Sequence, residues 1–309
     1  MRNNGNGDAR QVRENKQMSF GDVGQQLRAY RMESGLKAEE IAARLGISRA
    51  ALYRYEKGEV IKLDTITKLA ELLKISPLTL LGIGFEYYTK PLGYAERLRQ
   101  MEETADQILQ LSGPVCYLLT SEGYDTILGQ IIAEHAAAMG ADLPAARAAA
   151  AQIMSIAQTR KQTYQASKPT IIAILPSFSI QKFLADGIAP TAHVSEALRN
   201  AARKAAQDEM EQIANLMESE PLGLQLGLMT KGQPNGAFAV FRSRERASLV
   251  INPFPLDTLA GTVAGVAMVT NAEDAVATHQ RAFEQVWPEA LKGAAAAQRI
   301  RELIMAARQ

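Results

Sequence analysis

Cysteine is almost missing from this chain. Cys116 is the only one in 309 residues, which excludes an internal disulfide and any cysteine-rich metal site. It lies in the apolar run PVCYLLT, where burial is role enough. Histidine is nearly as scarce: His135, His193 and His279 are scattered, and none falls in an HExxH pattern. There is no GxSxG elbow and no Walker A loop, and the single glycines near Val263 and Val266 make no dinucleotide fingerprint. Without a nucleophile, base or metal set, no enzyme and no cofactor are expected. The sequence also lacks an apolar stretch of about 20 residues and a charged-then-apolar leader, so the expected location is the cytoplasm, away from membranes. A net charge of only +1 gives the whole chain no pull toward polyanions.

What is present divides into parts. With 47% hydrophobic residues, the length suffices for a small domain and a larger one, each with a core. Residues 1–18 are polar and read as a disordered arm. Residues 1–90 hold 15 Lys or Arg against 11 Asp or Glu, a net of +4; the remainder holds 19 against 22, a net of −3. A weakly basic head sits on a weakly acidic body.

The head, 19–84, reads as five helices. From Asp22 to Ser34, Val23, Leu27 and Tyr30 recur at helical spacing before Gly35. A second helix covers about Lys37 to Leu45, with Ile41, Ala42 and Leu45 inward, and Gly46 ends it. Ser48 is the expected N-cap of a third, Arg49 to Glu56. The fourth runs from about Asp64 to Leu73. Ser76-Pro77 supplies a cap and a proline at N1 for a short fifth. Two short helices joined by a three- or four-residue glycine turn can lay one helix across a DNA backbone and the next in the major groove.

Four fixed points in this stretch, SGL, AARLGIS, YEKGE and LAELLKIS, together resemble the helix-turn-helix family of phage Cro and cI repressors, the xenobiotic-response-element family. The resemblance covers nearly all of residues 21–84 and implies a double-stranded DNA operator, a homodimer or higher assembly, and transcription regulation, with repression the commoner behaviour of look-alikes and activation the alternative. It places Arg49, Ala50, Tyr53 and Arg54, with Ser48 at the helix tip, toward the DNA. Lys37 takes a phosphate-contacting position, and Lys57 and Lys62 flank the backbone. It pairs Arg31 with Glu56 as a structural ion pair. Ala38 departs from the frequent glutamine, so the usual clamp between the second and third helices is missing. Ala50 replaces a polar reader but can still meet a thymine methyl. Base hydrogen bonding then falls to Arg49 and Arg54, which favour guanine.

Residues 85–111 read as a linker or dimerisation helix, helical from Tyr94 to Leu111. The remainder, 112–309, reads as an effector-sensing or oligomerisation domain of mixed strands and helices. GPVCYLLTS, KPTIIAILPS, LGLQLGLMT, GAFAVFRS, RASLVINPF and TVAGVAMVT are expected strands. The fold class is thus an all-α five-helix DNA-binding domain followed by a larger α+β or α/β domain. Part of the second domain, about 112–290, resembles phospholipase-D-like sensing modules, although the HxK motif of a catalytic version is missing. Arg242, Arg244, Arg246 and Asn252 are candidate contacts for a small, anionic effector; a basic hairpin edge and a plain turn are the alternatives. Two rival functions stand beside the regulator: an antitoxin-like interaction protein, and an enzyme with an appended DNA-binding head.

Overall fold

The computed structural model describes residues 20–308 apart from 112, 141, 190–192, 233, 235 and 252–264. The polar arm at 1–18 and Asn252 lie outside the described residues.

Five helices open the chain: α1 (Phe20–Ser34), α2 (Ala38–Leu45), α3 (Arg49–Glu56), α4 (Leu63–Leu73) and α5 (Pro77–Leu80). Their ends follow local chemistry. Gly46 adopts φ 68° and stops α2, while the Ile47 amide bonds back to Ala42 at 3.0 Å, a left-handed C-terminal cap. Ser48 caps α3 by accepting from the Ala51 amide at 3.1 Å. Ser76 caps α5 in the same way through Thr79 at 3.0 Å.

The body follows as a larger α+β domain. Its elements are β1 (Phe85–Tyr88), α6 (Pro91–Thr104), β2 (Gln107–Leu111), α7 (Glu122–Ala138), α8 (Leu143–Ser167), β3 (Thr170–Pro176), α9 (Ser177–Asp186), α10 (Glu196–Ser219), β4 (Leu224–Met229), β5 (Phe238–Arg242), β6 (Ala247–Ile251), β7 (Ala267–Thr270), α11 (Glu273–Val286) and α12 (Gly293–Ala307). The strands form one sheet in the order β1-β7-β6-β5-β2-β3-β4. β2, β3 and β4 are parallel, linked by helical crossovers, and the other pairings are antiparallel. Alternate residues serve opposite faces. Ile108, Ile171, Ala173 and Phe241 join the main core, whereas Leu109, Leu111, Ile174 and Val240 pack with Val276 and Phe283 of α11. Both faces are apolar because both are covered.

Two expectations are corrected by the structure. The helix expected from Tyr94 to Leu111 ends at Thr104, and 107–111 is the strand β2. The apolar positions fit either period, and pairing decides: β2 is bonded to β3 on one side and β5 on the other. The helix α6 is largely covered by its own chain. Tyr94, Ala95, Leu98 and Met101 are buried, as are Glu96, Arg97, Gln100 and Glu102. GPVCYLLTS is not a strand; after Gly113-Pro114 the chain leaves the sheet, and Tyr117–Leu119 is a buried 3-10 turn. The edge strand β1 was not expected from the sequence.

Head and body share one core. Val23, Leu27, Tyr30 and Leu52 of the head belong to the same buried cluster as Tyr88, Tyr94 and Leu98 of the body. Tyr30 stacks on Tyr88 with ring centres 5.2 Å apart, and its hydroxyl accepts from the Tyr87 amide at 3.2 Å. At Gly93 of α6, an added Cβ would stand 2.6 Å from Glu33 Cβ, so only glycine lets α6 approach the end of α1 this closely. A buried polar knot completes the joint. The Arg97 guanidinium is bidentate to Glu86, 2.8 Å to each oxygen, and Glu86 also accepts from Gln26 of α1 at 2.9 Å and from the Tyr88 hydroxyl at 2.7 Å.

Candidate nucleic-acid interface

The third helix is anchored by its inner side. Leu52 is fully buried, and α1 and α2 pack against the helix. The approach of α1 is close enough that a Cβ on Gly24 would lie 2.5 Å from the Tyr55 carbonyl. Arg31 holds the far end with two bonds to Glu56, 2.6 and 3.1 Å. Burial alone would lower the Arg31 pKa, but the hydrogen bond and charge of Glu56 outweigh it and raise it. Glu56 is therefore turned inward, its side chain only 5% exposed.

The other side is open. Ser48, Arg49, Ala50 and Arg54 are exposed, as are Lys57 just beyond the helix and Lys62 before α4. Among the described residues, only α1 and α2 pack extensively against α3, so the body leaves this face uncovered. Lys37 is exposed at the N-cap of α2, and its amide is already taken by Glu40 at 2.8 Å. Tyr53 is half-buried. The residues singled out in the sequence thus lie on α3 and its flanks as cations around a short, small-residue helix face.

The missing clamp has a substitute that the sequence did not disclose. Ala38 is buried, and its neighbour Glu39 reaches across to α3, binding Arg49 at 2.7 Å. Arg49 also donates to the Tyr53 hydroxyl at 3.1 Å and lies over its ring, 5.3 Å from the centroid. The Tyr53 hydrogen bond, then the Glu39 charge, raise the Arg49 pKa. Arg54 has a looser partner, Glu59 at 3.5 Å. Both arginines are held in place yet exposed, so a base edge or phosphate can replace their carboxylate partners.

The cluster expected at Arg242, Arg244 and Arg246 does not converge on an anion site. Arg242 donates to Gln280. Arg246 binds Asp22 of α1 at 2.6 Å, where it clamps the head to the β5–β6 hairpin. Arg244 is exposed. The cleft beside Arg242 and Arg246 measures only about 10 Å³, barely room for one water.

Comparison with known proteins agrees with this geometry for the head. The family described as Helix-turn-helix matches residues 27–80; this segment is a DNA-binding domain of the Cro/cI type, a module of transcription regulation. No curated protein matches the chain. Among solved structures, one reported for TrmBL2, an archaeal chromatin protein with "a novel mode of DNA binding", aligns at 10% identity and a TM-score of 0.32. The alignment covers 74% of this chain and 61% of that one, so the chain spans about three-fifths of its length. Nothing in these comparisons supports the phospholipase-D-like resemblance of residues 112–290. Among the described residues, no group of three or more His, Cys, Asp or Glu could hold a metal, and no helix is long and apolar enough to cross a membrane.

Proposed function

We propose that the chain is a sequence-specific transcriptional regulator, acting as a homodimeric repressor that responds to a small molecule. The single observation behind this reading is the uncovered face of α3. Its inner side is locked by Leu52 and Glu56, while Arg49, Ala50 and Arg54 face outward without a body element over them. In a major groove, Arg49 and Arg54 read guanine O6 and N7, and the Ala50 methyl meets thymine. Lys37, Lys57 and Lys62 neutralise phosphates and fix the register without reading sequence. Ser48, at the helix tip, reaches the same backbone. Two copies are needed because one such head makes few contacts and operators of this kind are palindromic. Repression follows from occupancy of the promoter.

Selection of bound duplexes from a random pool tests the proposal. The expected product is a palindrome with guanines under Arg49 and Arg54, bound by a particle of twice the monomer mass. Arg49→Ala should lower specific affinity by about tenfold or more and relax the preference at one position in each half-site. Lys57→Ala should instead weaken all sequences alike and reduce the salt slope by about one. A purified chain that enriches no sequence sinks the proposal.

A further inference from the structure

A large cavity lies far along the chain from the DNA-reading face, between α7 and α8. It is an open cleft of about 810 Å³, within the range of small-molecule sites. Small residues, Gly129, Ala133 and Ala151 among them, keep the facing helix sides low. The wall on α8 repeats at helical spacing: Arg147, Ala151, Met154, Gln158, Gln162 and Gln165. Such a stripe would ordinarily be solvated surface. Here it looks down on a buried charged floor.

That floor is built from three segments. Lys161 donates to Asp125 at 2.7 Å and to the Ser121 carbonyl at 3.0 Å, and its ammonium sits 4.8 Å from the Tyr117 ring centre. Two of its three donors are thereby used. Asp125 is 8% exposed and lines the cleft. One carboxylate oxygen holds Lys161; the other, Oδ1, is buried, and the Tyr117 hydroxyl faces this carboxylate. Glu209 closes the floor from α10, accepting from the Ser121 amide at 3.2 Å.

We infer that this cleft is the effector site, and that it takes a small zwitterion of the amino-acid type. The lining carries two cations, Lys161 and Arg147, and two anions, Asp125 and Glu122, with amide side chains between them. A ligand of one net charge would meet as much repulsion as attraction. A zwitterion sets its ammonium against the exposed Glu122 and its carboxylate against Arg147 and the remaining donor of Lys161, and the glutamines take its side chain. The inference deepens the proposed small-molecule response and rests on it.

The cleft is also wired to the head. Arg160, adjacent to Lys161 and stacked on the same Tyr117 ring at 5.0 Å, is bidentate to Glu102 of α6, both bonds 2.8 Å. Within two turns of Glu102, α6 also carries Arg97, bound to Glu86, and Gln100, whose amide donates to the Gln25 carbonyl of α1 at 3.0 Å. A ligand that moves α8 therefore acts on the helix that seats α1.

The test uses the full chain and two independent readouts. Thermal melts with each standard amino acid at about 10 mM, with polyols and dicarboxylates as comparisons, need no DNA. At least one zwitterion is expected to raise the melting temperature by about 2 °C or more. That shift should be lost in Arg147→Ala and Gln158→Leu, exposed positions whose own melts without ligand match the wild type; Lys161→Met repeats the result if it folds. No shift with any zwitterion, a shift undiminished in both exposed variants, or a shift with polyols or dicarboxylates alone overturns the assignment. The second readout is affinity for the selected duplex, expected to change about 5- to 150-fold with the shifting ligand. An unchanged affinity overturns the wiring but not the site. Failure of the regulator reading shows separately, as absence of any selected duplex with the thermal shift intact.

Discussion

Replacing Glu86 by glutamine should loosen the head from the body and cost more than any surface charge change. Arg97 is 2% exposed, and both of its donor nitrogens that reach Glu86 point at separate carboxylate oxygens. Glutamine offers one acceptor and turns an NH2 toward the other donor. Arginine cannot shed its proton to escape, so a buried cation is left half-paired. Breaking such a pair from one side costs about 3–5 kcal/mol, a large part of the roughly 5–15 kcal/mol that holds a domain folded. The companion variant Glu86→Leu with Arg97→Met removes both charges. It leaves the Gln26 and Tyr88 donors unpaired, a loss of about 1–3 kcal/mol each at most, and takes a long 3.5 Å bond from the Gln100 oxygen. The double change should therefore be cheaper than the sum of its parts. Urea unfolding gives two probes: fluorescence of Trp287, the only tryptophan, packed on Phe283 beyond the sheet, and circular dichroism of all the helices. In the wild type the two transitions should coincide; in Glu86→Gln the helical signal should fall at lower urea than the fluorescence. A cost below about 1 kcal/mol, the value of an exposed pair, with coincident transitions, would refute a welded joint.

Gly24→Ala should drive α1 off the end of α3, because its methyl has no room beside the Tyr55 carbonyl; the check is a drop in both stability and duplex affinity, and a variant that binds DNA as tightly as wild type speaks against the contact. Burial pushes the Cys116 thiol up to about 12. At pH 8 its thiolate is then about a thousandfold rarer than for a free cysteine, so a thiol reagent should label the chain only after denaturation. Glu209 also has its carboxyl pKa raised, by burial above all. The protonated form is favoured in the fold, so its contribution to stability is complete below the unfolded carboxyl pKa and is lost as pH rises through the folded value. Glu209→Gln should gain on the wild type as pH rises above about 4, and a difference that does not move with pH counts against this sign.

The head was legible because its signals are local. Gly46, Ser48 and Ser76-Pro77 punctuate helices whose apolar faces need only three or four residues to declare themselves. The body was harder for reasons that can be named. Residues 105–111 carry apolar side chains compatible with a helix and with a fully buried strand, and the choice rests on β3 and β5, which are distant in sequence. Phe85–Tyr88 is too short to show alternation. The polar joint was illegible in kind: Glu86, Arg97, Glu102 and Arg160 read as ordinary solvated charges. Their partners stand 11 and 58 residues apart, and nothing in a pattern of apolar residues announces an ion pair beneath it. The α7–α8 cleft shares that fate, since its stripe looks like solvent-facing helix.

The joint changes what an effector has to do. A head on a free linker would search for its half-site independently, and a ligand on the body could alter little beyond the reach of that linker. Here α1 is fixed by the Tyr30–Tyr88 stack, the Glu86 knot and the Arg246–Asp22 pair, so α3 keeps one orientation relative to the sheet. In a dimer of such protomers, the spacing of the two reading helices is set by how the bodies meet. Palindromic operators demand one spacing, about a helical turn of DNA between half-sites. A ligand can then act only by favouring one arrangement of whole protomers or by shifting α1 through α6, and in either case by its difference in affinity for the two states. Stiffness of the joint is thus what the proposed effector cleft on α8 requires in order to act on a helix that it does not touch.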